Sequence, residues 1–365
     1  MIRLPLIFFV LLSAAWALPV EKIALPSGFE IELYIDNVPD AREMALGEKG
    51  TLFVGTRKAG RVYAVRDTDG DKRPDKVEVI AEGLFMPSGV AFKDGALYVA
   101  EVDRILRYDD IESTLPDVGQ AQVVFDALPD KRHHGWKNIA FGPDGRLYVP
   151  IGVPCNVCNP PLPFGTIISV DLETKKTTFV ARGVRNSVGF DWHPDTREFW
   201  FTDNGRDLLG DDAPDDELNR VTEPGQHFGF PFFHGGDTPD PVFGRRKNPD
   251  DYRRPSAKLG AHVAALGMHF YRGKMFPRAY KNTIFVAEHG SWNRSKKVGY
   301  RLNVITLEGN RVVDDRPFAT GWLQGQKQWG RPVALLELED GSLLVSDDYA
   351  GVIYRISYTG EKDEE

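Results

Sequence analysis

Cysteine is almost missing from this chain. Only Cys155 and Cys158 occur in 365 residues, together in PCNVCNP. A framework of several disulfides is therefore excluded, and so is a zinc site built from four thiolates. A C-x-x-C pair ahead of a helix would suit thiol exchange, but prolines flank this one. The spacing predicts a local disulfide that stiffens a loop, with free thiols, a redox pair or a metal role as the alternatives. An excess of positive charge is missing too. The 45 Lys and Arg stand against 53 Asp and Glu, a formal net charge of −8, so a nucleic-acid partner has no electrostatic support. Long apolar runs are confined to the N-terminus. There Arg3, LPLIFFVLLSAA and the small-x-small AWA at 15–17 have the form of an export signal. Residues 1–17 are expected to be a signal peptide and residues 18–365 a single domain. That apolar core is short for a bilayer span, and no second run follows it, so stable membrane insertion is not expected. No Cys follows the core either, which speaks against a lipid anchor. The protein is expected to be exported, periplasmic or secreted. Finally, no long segment holds a helical apolar period, so helix should be scarce.

What the sequence does contain is turns, aromatics and a repeat. Its 36 Gly, 25 Pro and 11% aromatic content favour β-structure. One pattern recurs six times: a turn, a short apolar strand, a polar or Gly break, then a second strand. It appears as GTLFVGTRKAGRVYAV at 50–65 and DGALYVAEVDRILRY at 94–108. It returns as DGRLYVPIG with GTIISVDL, TREFWFTDNGRD with DELNRV, KNTIFVAEHGSWNR with YRLNVITL, and DGSLLVSDDYAGVIYRI at 340–356. Segments such as PSGVAF, WKNIAF, SVGFDW and PVALLEL supply a strand before each hairpin, and others such as KVEVIAEGL and AQVVFDAL a strand after it. Six four-stranded antiparallel units predict an all-β, six-bladed β-propeller. Its irregular spacing points to loops inserted between second and third strands. FEIELYI near the N-terminus could complete the last blade and close the ring. A two-sheet sandwich is the rival and accounts less well for six similar units.

The unusual polar groups keep phase with these hairpins: HHGWKN, VRNS, DNGRD, EHGSWNR and QWGRP all fall at equivalent tips. Convergence on one pocket follows. That pocket would gather Arg185, Arg294 and Arg331 with His134 and His289. Several guanidiniums facing one channel repel unless an anion joins them, and Arg binds planar carboxylates through paired hydrogen bonds. The bland alternative pairs each Arg with a nearby Asp. His134 is the candidate general base, because imidazole titrates near neutral pH. Alternation along a strand would turn only one of His133 and His134 to the channel. Two acidic stretches could hold calcium. One is TDNGRDLLGDDAPDDELN at 202–219. The other is DTDGDKRPDKVE, where Asp67, Asp69, Asp71, Asp75 and Glu78 fall at positions 1, 3, 5, 9 and 12 of an EF-hand-like loop. Lys72 stands where such a loop has Gly, and the alternative is an exposed hairpin turn.

The order H-x-x-x-N-I-A-F-G-P-D-G-x-L-Y-V, G-V-R-N-S-V-G-F, D-N-G-R-D…D-D-E-L-N and H-G-S-W-N-R resembles the soluble PQQ-dependent sugar dehydrogenases, nearest the L-sorbosone dehydrogenase-like branch. The resemblance covers about residues 25–357. It implies a six-bladed propeller holding pyrroloquinoline quinone (PQQ) over the central channel. It also implies oxidation of a small-molecule sugar or aldehyde and an external electron acceptor. It further implies that His134 takes the substrate proton while hydride passes to the quinone, the cofactor performing the redox chemistry. Arg185 and Asn186 match the pair at the quinone oxygens, and Arg331 matches a cofactor-binding Arg. Gly205 and Arg206 match a loop whose backbone carbonyls hold a polarising calcium ion. His133 stands where the glucose-oxidising branch has Asp, Arg206 where it has Pro, and Trp329 where it has a second Arg. A fifth-blade Lys has no match, and His289 or Arg294 is offered instead. Two other classes compete: a calcium-dependent propeller lactonase or esterase, and a non-catalytic exported binding propeller.

Overall fold

The computed structural model describes residues 18–361, so the signal peptide expected at 1–17 lies outside the described residues. Six four-stranded antiparallel blades account for most of the chain. Blade 1 runs Ala41–Leu46, Leu52–Thr56, Val62–Arg66 and Lys76–Ala81, and blade 2 runs Gly89–Lys93, Ala96–Ala100, Ile105–Tyr108 and Gln122–Phe125. Blade 3 has Ala140–Phe141, Leu147–Ile151, Thr166–Val170 and Thr177–Arg182, and blade 4 has Gly189–Trp192, Phe199–Asp203, Asp215–Arg220 and Ala257–Ala261. Blade 5 is Ala265–Phe270, Ile284–Glu288, Arg301–Glu308 and Arg311–Thr320. Blade 6 combines Pro332–Glu337, Leu343–Asp347 and Val352–Tyr358 with the N-terminal strand Phe29–Ile35. Around most of the ring the first strands of neighbouring blades touch one another, so they surround the centre.

The sequence explains this arrangement strand by strand. Second strands such as LFVGT, ALYVA, FWFTD, IFVAE and LLVSD are buried at every position. Each is covered on both faces by adjacent blades, and near-continuous apolar runs result. Outer strands such as KVEVIA are half solvent-facing. The apolar residues form six clusters, one at each blade interface. Phe53 with Leu97 joins blades 1 and 2, for example, and Phe285 with Leu343 joins blades 5 and 6. Close approach of the first strands needs glycine: a Cβ at Gly267 would lie 2.6 Å from the Val333 carbonyl oxygen of the next blade.

The ring closes as the sequence predicts. Phe29–Ile35 pairs antiparallel with Val352–Tyr358, with Phe29 opposite Tyr358. The Phe29 ring sits 4.8–5.1 Å, centroid to centroid, from Phe276, Tyr280, Phe318 and Tyr358. Helix is scarce: the one α-helical segment among the described residues is Ile111–Thr114. One expectation needs correcting. Inserted loops do follow the second strands of blades 3, 4 and 5, but the longest insertion, residues 221–256, separates the third and fourth strands of blade 4. Within it Gln226–His227 adds a parallel fifth strand to blade 3 and stitches two blades together. No helix among the described residues is long and apolar enough to cross a membrane.

Candidate active site

In every blade the chain runs into the first strand, and out of the second, at the same end of the ring. Antiparallel pairing makes this unavoidable, and it gathers the polar tips. They enclose a cavity of about 290 Å³, lined among others by His134, Arg185, Asn186, Gly205, His289 and Arg331. Arg294 and Arg206 do not line it. The Arg294 Nη2 pairs with Asp212 at 3.0 Å, and the Arg206 Nη1 pairs with buried Asp240 at 2.6 Å.

His133 and His134 occupy a turn ahead of the first strand of blade 3, not the strand itself. Alternation is thus not what separates them. His134 has a left-handed backbone, φ 51°, and is buried, while His133 is exposed. Gly152 makes room: a Cβ there would lie 2.6 Å from both the Cβ and the carbonyl oxygen of His134. The His134 Nδ1 lies 2.9 Å from the Val153 carbonyl oxygen. A carbonyl can only accept, so Nδ1 carries the proton and Nε2 keeps its lone pair. Burial, then the positive charge of Arg185, hold His134 well below the usual imidazole range. It is therefore a neutral base of fixed tautomer.

Four arginines line the cavity, two of which, Arg42 and Arg57, escaped the sequence reading. Arg42 is 1% exposed and pairs through Nη1 with Asp348 at 2.8 Å, but its Nε has no partner. Asp348 also meets His289 Nε2 at 2.8 Å. Burial opposes ionisation of Asp348, yet His289 and Arg42 hold it well below the carboxylate range. Burial brings His289 down to about 4, against the pull of Asp348. The guanidinium of Arg57 lies over Trp136, 4.9 Å from the ring centroid, with Nε unsatisfied. Burial and the charge of Arg42 both lower it. Arg331 donates from Nε to the His289 carbonyl at 3.1 Å and from Nη2 to the Gly290 carbonyl at 2.8 Å. Arg185 is nearly buried and holds Asp207 at 3.0 Å. These residues fit an anionic, carboxylate-bearing ligand. Mutually repelling cations stand in one concave site.

The 203–207 tip also fits a hard cation in one respect. Among the described residues no hydrogen bond reaches the carbonyl oxygen of Gly205 or Arg206. The nearby acids are spent on backbone. Asp203 accepts from the N–H groups of Arg185 and Asn186 at 2.8 and 2.6 Å, and Asp216 from those of Gly205 and Ala265 at 2.8 and 3.2 Å. Burial raises Asp203 to about 7 and Asp216 to about 6.

Elsewhere the EF-hand-like reading survives only in part. Asp67, Asp69 and Asp71 can bring carboxylate oxygens within 4.8 Å of one another, all exposed. Asp75 instead caps Thr68, and Glu78 pairs with Arg66 at 2.8 Å, because strand Lys76–Ala81 has already begun and carries Glu78 into the sheet. Cys155 and Cys158 form the expected disulfide. Arg42 and Arg57 could have been found by phase. Arg42 stands at the first strand of blade 1, as Arg185 and Arg331 stand just before theirs, and Arg57 follows LFVGT as Asn204 follows FWFTD.

A family model described as a domain of unknown function (DUF7133) matches residues 17–362. An uncharacterized protein of Borreliella burgdorferi is 35% identical over 372 residues, 97% of this chain and 96% of that one. Among solved structures, the holo form of the pyranose dehydrogenase PQQ domain from Coprinopsis cinerea is 17% identical with a TM-score of 0.76, covering 92% of this chain and 97% of that one. A calcium structure of a Trichoderma reesei carbohydrate-active enzyme of family AA12 is 18% identical with a TM-score of 0.79, at 92% and 97% coverage. The PQQ-bound aldose sugar dehydrogenase of Streptomyces coelicolor is 19% identical with a TM-score of 0.65, at 92% and 99%. At these identities the likeness establishes the six-bladed fold.

Proposed function

The chain belongs to the DUF7133 family, and we propose that it is a PQQ- and calcium-dependent dehydrogenase of a sugar or related aldehyde. One observation carries the reading. A neutral His134 with a free Nε2 shares its cavity with Arg42, Arg57, Arg185 and Arg331. A base beside a seat for a polyanion, on a fold shared with PQQ-bound sugar dehydrogenases, fits a carboxylate-bearing quinone.

The arginines and Asn186 would hold the cofactor, and the Gly205 and Arg206 carbonyls would hold the calcium ion. Bound there, PQQ would supply a two-electron, hydride-accepting centre, and calcium a Lewis acid beside it. The chain's own part is proton chemistry and orientation. His134 Nε2 takes the proton from the substrate hydroxyl, or from the hydrated aldehyde, and the Val153 carbonyl stabilises the resulting imidazolium through Nδ1–H. Trp136 packs edge-on against the imidazole, 5.9 Å between centroids, and limits its rotation. An external electron acceptor completes the cycle. Export, with residues 1–17 as signal peptide and 18–365 as the mature domain, belongs to the same proposal. A lactonase or esterase would centre its cation on side-chain carboxylates, whereas Asp203 and Asp216 spend their oxygens on backbone N–H groups.

The test is titration of the protein with PQQ and calcium, followed by optical absorption and dye-linked oxidation of a sugar and aldehyde panel. Calcium-dependent binding is expected, with substrate bleaching the quinone band. His134→Ala should bind PQQ but turn over about 10²–10⁴ times more slowly. No binding at micromolar PQQ overturns the reading.

A further inference from the structure

Arg185 lies in the loop between strands Thr177–Arg182 and Gly189–Trp192. Its Nε donates to the Asn156 carbonyl oxygen at 2.8 Å, and its Nη2 donates to Asn156 Oδ1 at 2.9 Å. Further donations go to Asp207 Oδ2 at 3.0 Å and from Nη1 to the Asn204 carbonyl at 3.2 Å. Asn156 thus meets both donors along one edge of the guanidinium. Its amide also grips the tip of blade 4 from both sides: Oδ1 accepts the Asp207 N–H at 2.8 Å, and Nδ2 donates to the Asp207 carbonyl at 3.1 Å. Every hydrogen-bonding atom of that side-chain amide faces the site's scaffold.

Asn156 can do this because its backbone is confined. It lies inside the ring that the disulfide closes between Cys155 and Cys158, three residues apart. So short a ring removes little entropy from the unfolded chain, but it restricts which way the enclosed carbonyl and side chain point. The same strip of chain supplies the Val153 carbonyl that sets the tautomer of His134.

We propose that Asn156, held in the Cys155–Cys158 ring, is the positioning residue that fixes the guanidinium of Arg185 and the Asp207 tip in the orientation that receives the ligand. An unrestrained Arg would lose rotamer freedom on binding, and Asn156 removes that cost beforehand. The identity of the ligand as PQQ rests on the function proposed above; the positioning itself does not.

The experiment therefore has one arm free of PQQ. In the ligand-free protein, hydrogen exchange at the Arg185 Nη2–H, the donor to Asn156 Oδ1, is followed by NMR in wild type, Asn156→Ala, Asn156→Asp and Cys155→Ser/Cys158→Ser. Wild type should be protected, with exchange about tenfold or more faster in Asn156→Ala and in the double Ser variant. Asn156→Asp keeps an acceptor oxygen for Arg185 and should stay within about threefold of wild type. In the second arm PQQ affinity should fall about tenfold or more in Asn156→Ala, with Tm within about 3 °C of wild type. Unchanged exchange in Asn156→Ala overturns the proposal. Exchange that rises only together with a collapse of Tm overturns it too, because the role is then merely structural. If wild type binds no PQQ, the functional reading fails while the exchange arm still decides the positioning.

Discussion

Glu43 lies in the middle of the first strand of blade 1, buried, with Oε1 unpartnered. Burial pushes it up to about 8, against the pull of Arg42. A carboxyl whose folded pKa exceeds its unfolded value contributes stability that is present at low pH and lost as pH rises toward the folded pKa. Glu43→Gln should therefore match wild type near pH 5 and become the more stable protein toward pH 8. The gap should widen by up to about 1.4 kcal/mol per pH unit, read from Tm or denaturant unfolding. Arg57 is stacked on Trp136 with its Nε unsatisfied. At this scale the sequence disclosed His134, Arg185, Asn186, His289 and Arg331, because their motifs sit in phase with the strands. It hid Asn156, whose loop reads only as a stiffened turn, and Asp348, which reads as one more surface acid until Arg42 and His289 close on it.

Strands that bury both faces announce themselves, since nothing but an apolar run can occupy that place; the second strands were legible for this reason. The fourth strand of blade 4, AKLGA, is short and only partly buried, and residues 221–256 precede it, so neither period nor spacing marks it. Where a strand ends matters as much. Gly152 follows Leu147–Ile151 and is the surface on which the His134 turn rests. Gly152→Ala should displace that turn and break the Nδ1 contact with Val153. The imidazole pKa, followed by NMR, should then move up toward 6.5 as burial is relieved. Turnover in the proposed reaction should drop about tenfold or more while the blades remain intact.

As a whole the molecule is a ring whose last blade is completed by its first strand. Phe29 carries much of that closure, packed on Phe276, Tyr280 and Phe318 of blade 5 and on Tyr358 of blade 6. Phe29→Ala should cost about 3–5 kcal/mol, measured by denaturant unfolding, although the residue does not line the cavity. This closure was legible in FEIELYI, an orphan strand pattern with no hairpin of its own. It also fixes an order of events. Phe29 and Tyr358 meet across nearly the full length of the chain. Such a loop closes slowly, because its entropy is lost before any contact repays it. Until Val352–Tyr358 has been synthesised, the N-terminal strand has no edge to join, and the incomplete ring presents unpaired backbone at both ends. The nascent chain is then a ready template for pairing with its own copies. Val352–Tyr358 thus decides whether Phe29–Ile35 aggregates or folds.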